Sequence, residues 1–141
     1  MTVCFFGHRD TPESVRPILR QTLMELIEKQ EAERFYVGNQ GSFDAMVLQT
    51  LQELKTNYPH IAYSVVLAYL PTRPTEFSYA TIYPERMELA PARYAIDRRN
   101  RWMIKHSDTV VCYVSLSFGG AAKYRDLAVR KKRNVLNLYK I

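Results

Sequence analysis

The stretch TVCFFGHRD, residues 2–10, decides how the rest of the chain is interpreted. Thr2–Phe6 is short, apolar and rich in aromatic residues, which is typical of a buried β-strand. Gly7-His8-Arg9 follows the strand directly. Glycine in such a turn lets backbone N–H groups approach a ligand, and a helix that begins nearby favours an anion at its N-terminus. The stretch therefore predicts a strand that ends at a ligand site.

The same layout returns twice along the chain. Arg34–Val37 precedes Gly38-Asn39-Gln40-Gly41, and Thr109–Val114 precedes a turn that contains Gly119-Gly120-Ala121. In a parallel sheet all three turns lie along one edge, where open α/β folds bind ligands. The three turns together predict a site for a small molecule that carries phosphate.

Apolar runs alternate with helical periodicity over the whole chain, which predicts an α/β fold. We expect a Rossmann-like, three-layer α/β/α domain with a five-stranded, mainly parallel sheet. Right-handed crossovers give the predicted strand order 3-2-1-4-5. The strands are predicted at Thr2–Phe6, Arg34–Val37, Ile61–Leu70, Thr109–Val114 and Val135–Tyr139. Either Thr11 or Ser14 is expected to cap the first helix.

Bulk properties predict one folded domain over residues 1–141, because 47% of the residues are hydrophobic. No apolar run reaches the length of a membrane span, and the N-terminus lacks the pattern of a signal peptide, so we expect a cytoplasmic protein. Residues 71–91 hold four prolines among aromatic residues and are predicted to be either a lid over the site or a plain connection.

The three histidines and two cysteines show no metal-ligand spacing, so no metal site is predicted. We also expect that no cofactor is required. Cys4 and Cys112 fall in predicted strands and are interpreted as buried core thiols. The net charge of +6 suits nucleotides or nucleic acid. One basic run, Arg130–Arg133, also suits the negative end of a helix dipole.

Several polar residues are candidates for the site. Asp44 would lie in the first turn of a helix, where it either accepts a hydrogen bond from a ribose hydroxyl or stabilises the helix N-terminus. Arg99 and Asn100 lie on the helical stripe expected to face the sheet, where a polar group needs a partner. For Arg99 that partner is either a ligand phosphate or a carboxylate such as Asp97 or Asp108.

Taken together, the motifs resemble the SLOG superfamily, the Rossmann-like group that unites the DNA-processing protein DprA with the LOG cytokinin-activating enzymes. The resemblance is closest to its YpsA-like branch of small stand-alone bacterial proteins and covers nearly the whole chain. It rests on four motifs in order: Gly7-His8-Arg9, Gly38…Gly41…Asp44, Arg99-Asn100-Arg101-Trp102-Met103 and Phe118-Gly119-Gly120. It implies a nucleotide or nucleotide-derivative ligand over the carboxyl ends of the strands.

The chain departs from the LOG enzymes, which release a base from a nucleoside monophosphate. Asn100 stands where their Arg-Lys-x-x-Met motif has lysine, and Asp126 stands where their catalytic glutamate is expected. The stretch after Gly120 also lacks their third glycine and threonine. These departures favour binding or sensing over hydrolysis.

We therefore expect a binder or sensor of a nucleotide or nucleotide derivative. The alternatives are an N-glycosidase of the LOG type, in which Arg99 and Asp126 would be catalytic, and a DprA-like nucleic-acid binder. A homo-oligomer is compatible with each of the three. The expected ligand-binding residues are Gly7, His8, Arg9, Gly38, Gly41, Asp44, Arg99, Asn100, Gly119, Gly120 and Ala121.

Overall fold

A computed structural model describes residues 1–73 and 77–140. The strands are β1 (Thr2–Gly7), β2 (Arg34–Val37), β3 (Ala62–Val66), β4 (Ala80–Ile82), β5 (Thr109–Tyr113) and β6 (Asn134–Asn137). The helices are α1 (Arg16–Gln30), α2 (Ser42–Asn57), α3 (Ala95–Lys105) and α4 (Gly120–Arg130). Short 3-10 turns lie at Glu13–Val15, Met87–Leu89, Ala92–Tyr94 and Leu138–Lys140. The chain is thus an α/β protein, as predicted.

All strands pair in parallel in one six-stranded sheet, whose order is β4-β3-β2-β1-β5-β6. The predicted sheet of five strands in order 3-2-1-4-5 was therefore wrong in its strand count and in its order. The additional strand is β4, which lies at the outer edge beside β3. The order in which strands are added reverses at β1. The chain moves outward from β1 to β4 on one side and then crosses back to add β5 and β6 on the other.

The additional strand comes from residues 71–91, which the sequence predicted to hold no regular element. Ala80–Ile82 is short and mostly exposed, so it has no apolar pattern of its own. It is held instead by its ladder with Ser64–Val66 and by a hydrogen bond from the Leu67 N–H to the Ile82 carbonyl (2.8 Å). Residues 74–76 of the predicted lid lie outside the described residues. The predicted strand Ile61–Leu70 is correspondingly shorter, because β3 ends at Val66.

Helices cover both faces of the sheet, since alternate residues of β1 enter two separate cores. Val3 and Phe5 pack with residues of α1 and α2, whereas Cys4 and Phe6 pack with residues of α3 and α4. Both faces of β1 are buried, which explains why its sequence is apolar without alternation.

Neither predicted cap occupies the start of α1. The helix is preceded by the 3-10 turn Glu13–Val15, and Val15 stands at its N-cap without a side-chain hydrogen bond. Thr11 instead donates from its hydroxyl to the His8 carbonyl (2.7 Å), which holds the loop after β1.

Both cysteines are buried free thiols, which confirms their interpretation as core residues. Burial raises the pKa of Cys4 and of Cys112 to about 12, so neither thiol is activated. Within the part of the chain that the structure describes, no helix is both long enough and apolar enough to cross a membrane.

Candidate functional site

A pocket of about 280 Å³ lies at the carboxyl end of β1, at the topological switch point between β1 and β5, where the strand order reverses. Open α/β sheets bind ligands at this position because neighbouring loops diverge there. The volume suits a small molecule. The pocket is lined by Phe5, Phe6, Gly7, His8, Arg9, Gln40, Asp44, Ile96, Arg99, Asn100, Met103, Gly120, Ala121 and Tyr124.

Arg99 projects from α3 into this pocket and is only 2% exposed. Its Nη1 donates to the carbonyl oxygen of Val66 (2.9 Å), and its Nε donates to Oδ1 of Asn100 (2.7 Å). Among residues 1–73 and 77–140, no carboxylate lies within 4.0 Å of the guanidinium and no acceptor binds Nη2. Burial lowers the pKa of Arg99 from its ordinary value.

The two carboxylates proposed as partners of Arg99 are engaged elsewhere. Asp97 accepts hydrogen bonds from Tyr124 and Arg101, and Asp108 accepts one from the Thr2 N–H. Arg99 is thus oriented by neutral groups and keeps a charged N–H face toward the pocket. A buried arginine without an ion pair is costly, and an anionic ligand is the group that would offset that cost.

The N-terminus of α4 opens into the same pocket. Gly119, with φ of 97°, stands at the N-cap, and no side chain of the described residues caps the helix. Within the described ranges no acceptor binds the N–H groups of Gly120, Ala121 or Ala122. A Cβ placed on Gly120 would meet no atom within 4 Å, so space for a ligand remains in front of these N–H groups. The arrangement favours an anion.

The N-terminus of α2 is closed by comparison. The Ser42 N–H donates to the Arg9 carbonyl (2.8 Å). Arg9 also packs closely against Gly41, since a Cβ on Gly41 would lie only 2.7 Å from the Cα of Arg9. Gly41 has φ of 92°, which a residue with a side chain rarely adopts. Gly41 is therefore needed to bring the Arg9 loop against α2, and it does not line the pocket.

Asp44 lies in the first turn of α2 and faces the pocket near Arg99. Its Oδ2 accepts a hydrogen bond from the Gln40 N–H (2.9 Å). Burial raises the pKa of this carboxyl group to about 6. The Gln40 hydrogen bond and the charge of Arg99 lower the pKa but do not offset the effect of burial. A Cβ on Gly38 would lie 2.8 Å from Asp44 Oδ2 and 3.2 Å from Arg99 Nη1, so a larger residue here would displace at least one of the two side chains.

His8 connects two of the glycine turns. Its Nε2 accepts a hydrogen bond from the Ser115 N–H (2.9 Å), and its ring packs edge-on against Tyr113. Because Nε2 is an acceptor here, the ring proton of neutral His8 is on Nδ1. His8 thus joins the end of β1 to the loop that leads into α4, and it lines the pocket as well.

Tyr124 was not predicted from the sequence as a site residue. It is buried on α4, stacks on Phe6 with ring centroids 5.4 Å apart, and lines the pocket. Its hydroxyl donates to Oδ1 of Asp97 (2.7 Å), and burial together with this bond raises the pKa of Tyr124 to about 12. One signal was present in the sequence: Tyr124 follows Gly120 by four residues and shares its helical face.

Most of the predicted ligand-binding residues come together in this pocket: Gly7, His8, Arg9, Asp44, Arg99, Asn100, Gly120 and Ala121. Gly38, Gly41 and Gly119 shape the turns behind it without lining it. Asp126 lies elsewhere, on the exposed face of α4, where its carboxylate pairs with Nε of Arg125 (3.0 Å). The pair Arg99 and Asp126 is therefore not assembled at one site.

Comparison with models of protein families found no family that matches this chain. A search of curated proteins likewise found no significant match.

Proposed function

We propose that the protein binds a nucleotide or nucleotide derivative in the pocket at the carboxyl end of β1. The observation that carries the proposal is Arg99, a buried guanidinium whose Nη2 has no partner among the described residues, beside the open N-terminus of α4. Two independent groups that favour an anion thus face one small cavity. A phosphate group would satisfy both, because a guanidinium binds it through paired hydrogen bonds.

The rest of the pocket supports a ligand with hydroxyl groups as well as phosphate. Asp44 offers a carboxylate acceptor on the wall formed by the β2–α2 turn, where Arg9 also lines the pocket and donates to Oε1 of Gln40 (3.5 Å). An acceptor there suits a sugar hydroxyl group. The aromatic rings of Phe6 and Tyr124 also line the pocket and give it an apolar surface that suits a planar base.

The resemblance to the SLOG superfamily supports the same proposal, since it rests on the motifs that contribute Gly7, Asp44, Arg99 and Gly120. The strand order, which reverses between β1 and β5, supports a Rossmann-like arrangement. The glycosidase alternative has less support, because Asp126 is exposed and paired with Arg125. No feature of the described residues favours a DprA-like function for this pocket.

The proposal is tested by changing Gly120. We expect nucleoside monophosphates to raise the melting temperature of the wild-type protein by mass action. Gly120→Asp should abolish most of that effect, because its carboxylate would occupy the anion position. The loss of a charge-assisted contact predicts roughly 10- to 100-fold weaker binding by isothermal titration calorimetry. Gly120→Ala is the matched control and should bind nearly as the wild type does.

The Gly120 variants should fold, since the position is spacious and an acidic residue suits a helix N-terminus. Arg99→Ala provides a second test, with exposed Arg98→Ala as its control on the same helix. Arg99→Ala should weaken binding by a similar factor, and Arg98→Ala should not. Equal affinity of Gly120→Asp and Gly120→Ala for every monophosphate would show that the ligand site is not here.

A further inference from the structure

The positive charge of the protein is concentrated in one part of the chain. Residues 92–133, which include α3 and α4, hold eleven lysine and arginine residues and three acidic residues, a net charge of +8. The whole chain has a net charge of +6, so the remaining residues are slightly acidic. The layer of helices on one face of the sheet is therefore strongly basic, and the layer of α1 and α2 is not.

A groove of about 460 Å³ runs between the C-terminal ends of α3 and α4 within this basic layer. Its rim carries four cations and no acidic residue, and its floor is aliphatic. The lining residues are Arg101, Ile104, Lys105, Leu127, Lys131 and Arg133. Four like charges around one concave surface raise its electrostatic potential and attract anions.

The helix dipole explains only part of this charge. Arg133 donates from Nε to the Ile104 carbonyl (3.1 Å) and from Nη2 to the Lys105 carbonyl (3.3 Å), so it already satisfies the C-terminus of α3. Arg101 pairs with Asp97 (2.9 Å). Over residues 1–73 and 77–140, no acceptor binds the ammonium groups of Lys105 and Lys131, both of which are exposed.

We propose that this groove binds an acidic segment of another protein. The two lysines supply charges without partners among the described residues, and their stems, lying over the largely buried Ile104 and Leu127, give the groove an apolar floor for aliphatic side chains. Single-stranded nucleic acid is less well matched, because none of the described residues that line the groove is aromatic and could stack on a base. The partner is thus a peptide in which Asp or Glu alternates with aliphatic residues.

The groove and the nucleotide pocket lie at opposite ends of α4. Gly120 and Ala121 begin the helix at the pocket, whereas Leu127 and Lys131 lie in the groove at its other end. Eleven residues of helix span about 16 Å. Peptide binding therefore does not depend on the proposed nucleotide function, and the two proposals fail separately.

The test measures the fluorescence anisotropy of a labelled 15-residue peptide of alternating Glu and Leu. A labelled Lys-Leu peptide and a labelled oligodeoxynucleotide with the same charge as the Glu-Leu peptide are measured separately for comparison. The Glu-Leu peptide should bind in the micromolar range, more weakly as salt rises. Lys105→Glu with Lys131→Glu should weaken binding at least about tenfold. The control pair, Lys29→Glu with Arg34→Glu, makes the same change in net charge on exposed residues outside the groove and should leave binding nearly unchanged.

Circular dichroism melting curves establish that each variant is folded, and Lys105→Gln with Lys131→Gln replaces the charge reversal if that variant melts early. Equal loss in the control pair would overturn the proposal, because net charge alone would then explain binding. Tighter binding of the oligonucleotide than of the Glu-Leu peptide would overturn it in favour of nucleic acid. Absence of peptide binding at low salt would overturn it outright.

Discussion

At the scale of single residues, the site depends on two charged side chains that share one glycine. Arg99 and Asp44 both lie against Gly38, yet they do not form an ion pair. Each is held by a backbone group instead: Arg99 by the Val66 carbonyl and Asp44 by the Gln40 N–H. Both charges therefore remain available to a ligand, at a cost in the stability of the folded protein.

Asp44→Asn should change how stability depends on pH. The pKa of Asp44 is raised to about 6 in the folded protein, against about 3.9 in an unfolded chain. The folded state thus holds this proton more tightly, and wild-type stability should fall as pH rises from about 4 to about 6. Asp44→Asn lacks this loss, which should be on the order of 2 kcal/mol.

Urea denaturation of the wild type and of Asp44→Asn at pH 4.5 and pH 7.5 measures this difference. The variant should gain stability relative to the wild type between the two pH values. Asp108→Asn, at an exposed carboxylate that bonds the Thr2 N–H, is the control for a general effect of removing an acidic residue. A constant difference between the wild type and Asp44→Asn would contradict the raised pKa.

At the scale of elements, the difference between two helix N-termini decides where an anion can bind. Both α2 and α4 follow a glycine with positive φ and neither has a side-chain cap. In α2 the Arg9 loop fills the space and its carbonyl accepts the Ser42 N–H. In α4, a Cβ on Gly120 would meet no atom of another described element within 4 Å. Packing between elements, and not helix chemistry alone, selects α4.

Gly7→Ala should destabilise the contact between the end of β1 and the start of α2. An added Cβ would lie 2.2 Å from Cγ of Phe43, whose ring is completely buried and cannot move aside without disturbing the core. Overpacking of this kind costs about 1–3 kcal/mol, measured as a shift in the urea midpoint. Gly120→Ala should show no such loss, and adding Phe43→Leu to Gly7→Ala should recover part of it.

At the scale of the whole molecule, the fold gathers the groups that we propose bind phosphate, without the acid expected of a glycosidase. Arg99 and Gly120 face the pocket, whereas Asp126 points to the surface beside Arg125. Misplacing a reacting group by about 1 Å can cost about 100-fold in rate, and here the group is outside the pocket.

We therefore expect little or no release of free base from nucleoside monophosphates. Chromatography of adenine, guanine, cytosine and uracil after incubation with the matching monophosphates measures this, with Asp126→Asn as the comparison. The two proteins should behave alike. Robust release by the wild type that disappears in Asp126→Asn would instead make the protein an enzyme.

Burial of the strand faces explains which strands the sequence predicted. The buried strands of the sheet centre were predicted because both of their faces are covered, so Thr2–Phe6 and Thr109–Val114 are apolar after their first residue. The exposed edge strand Ala80–Ile82 was missed, because its position depends on hydrogen bonds to β3 and not on its own hydrophobicity. Arg99 was predicted as a candidate because a charged residue on a buried helical stripe needs a partner, and its burial is confirmed.

The sequence by itself determined the α/β class, the parallel pairing and the glycine turns at one edge of the sheet. Local chemistry suffices for these, since strand burial, helical periodicity and turns are written within short stretches. Only the tertiary structure decided that α4 and not α2 has an open N-terminus, that Tyr124 lines the pocket and that Asp126 does not. Those outcomes depend on which side chains fill a space shared by distant elements, and contacts such as Arg9 against Gly41 leave no local pattern in the chain.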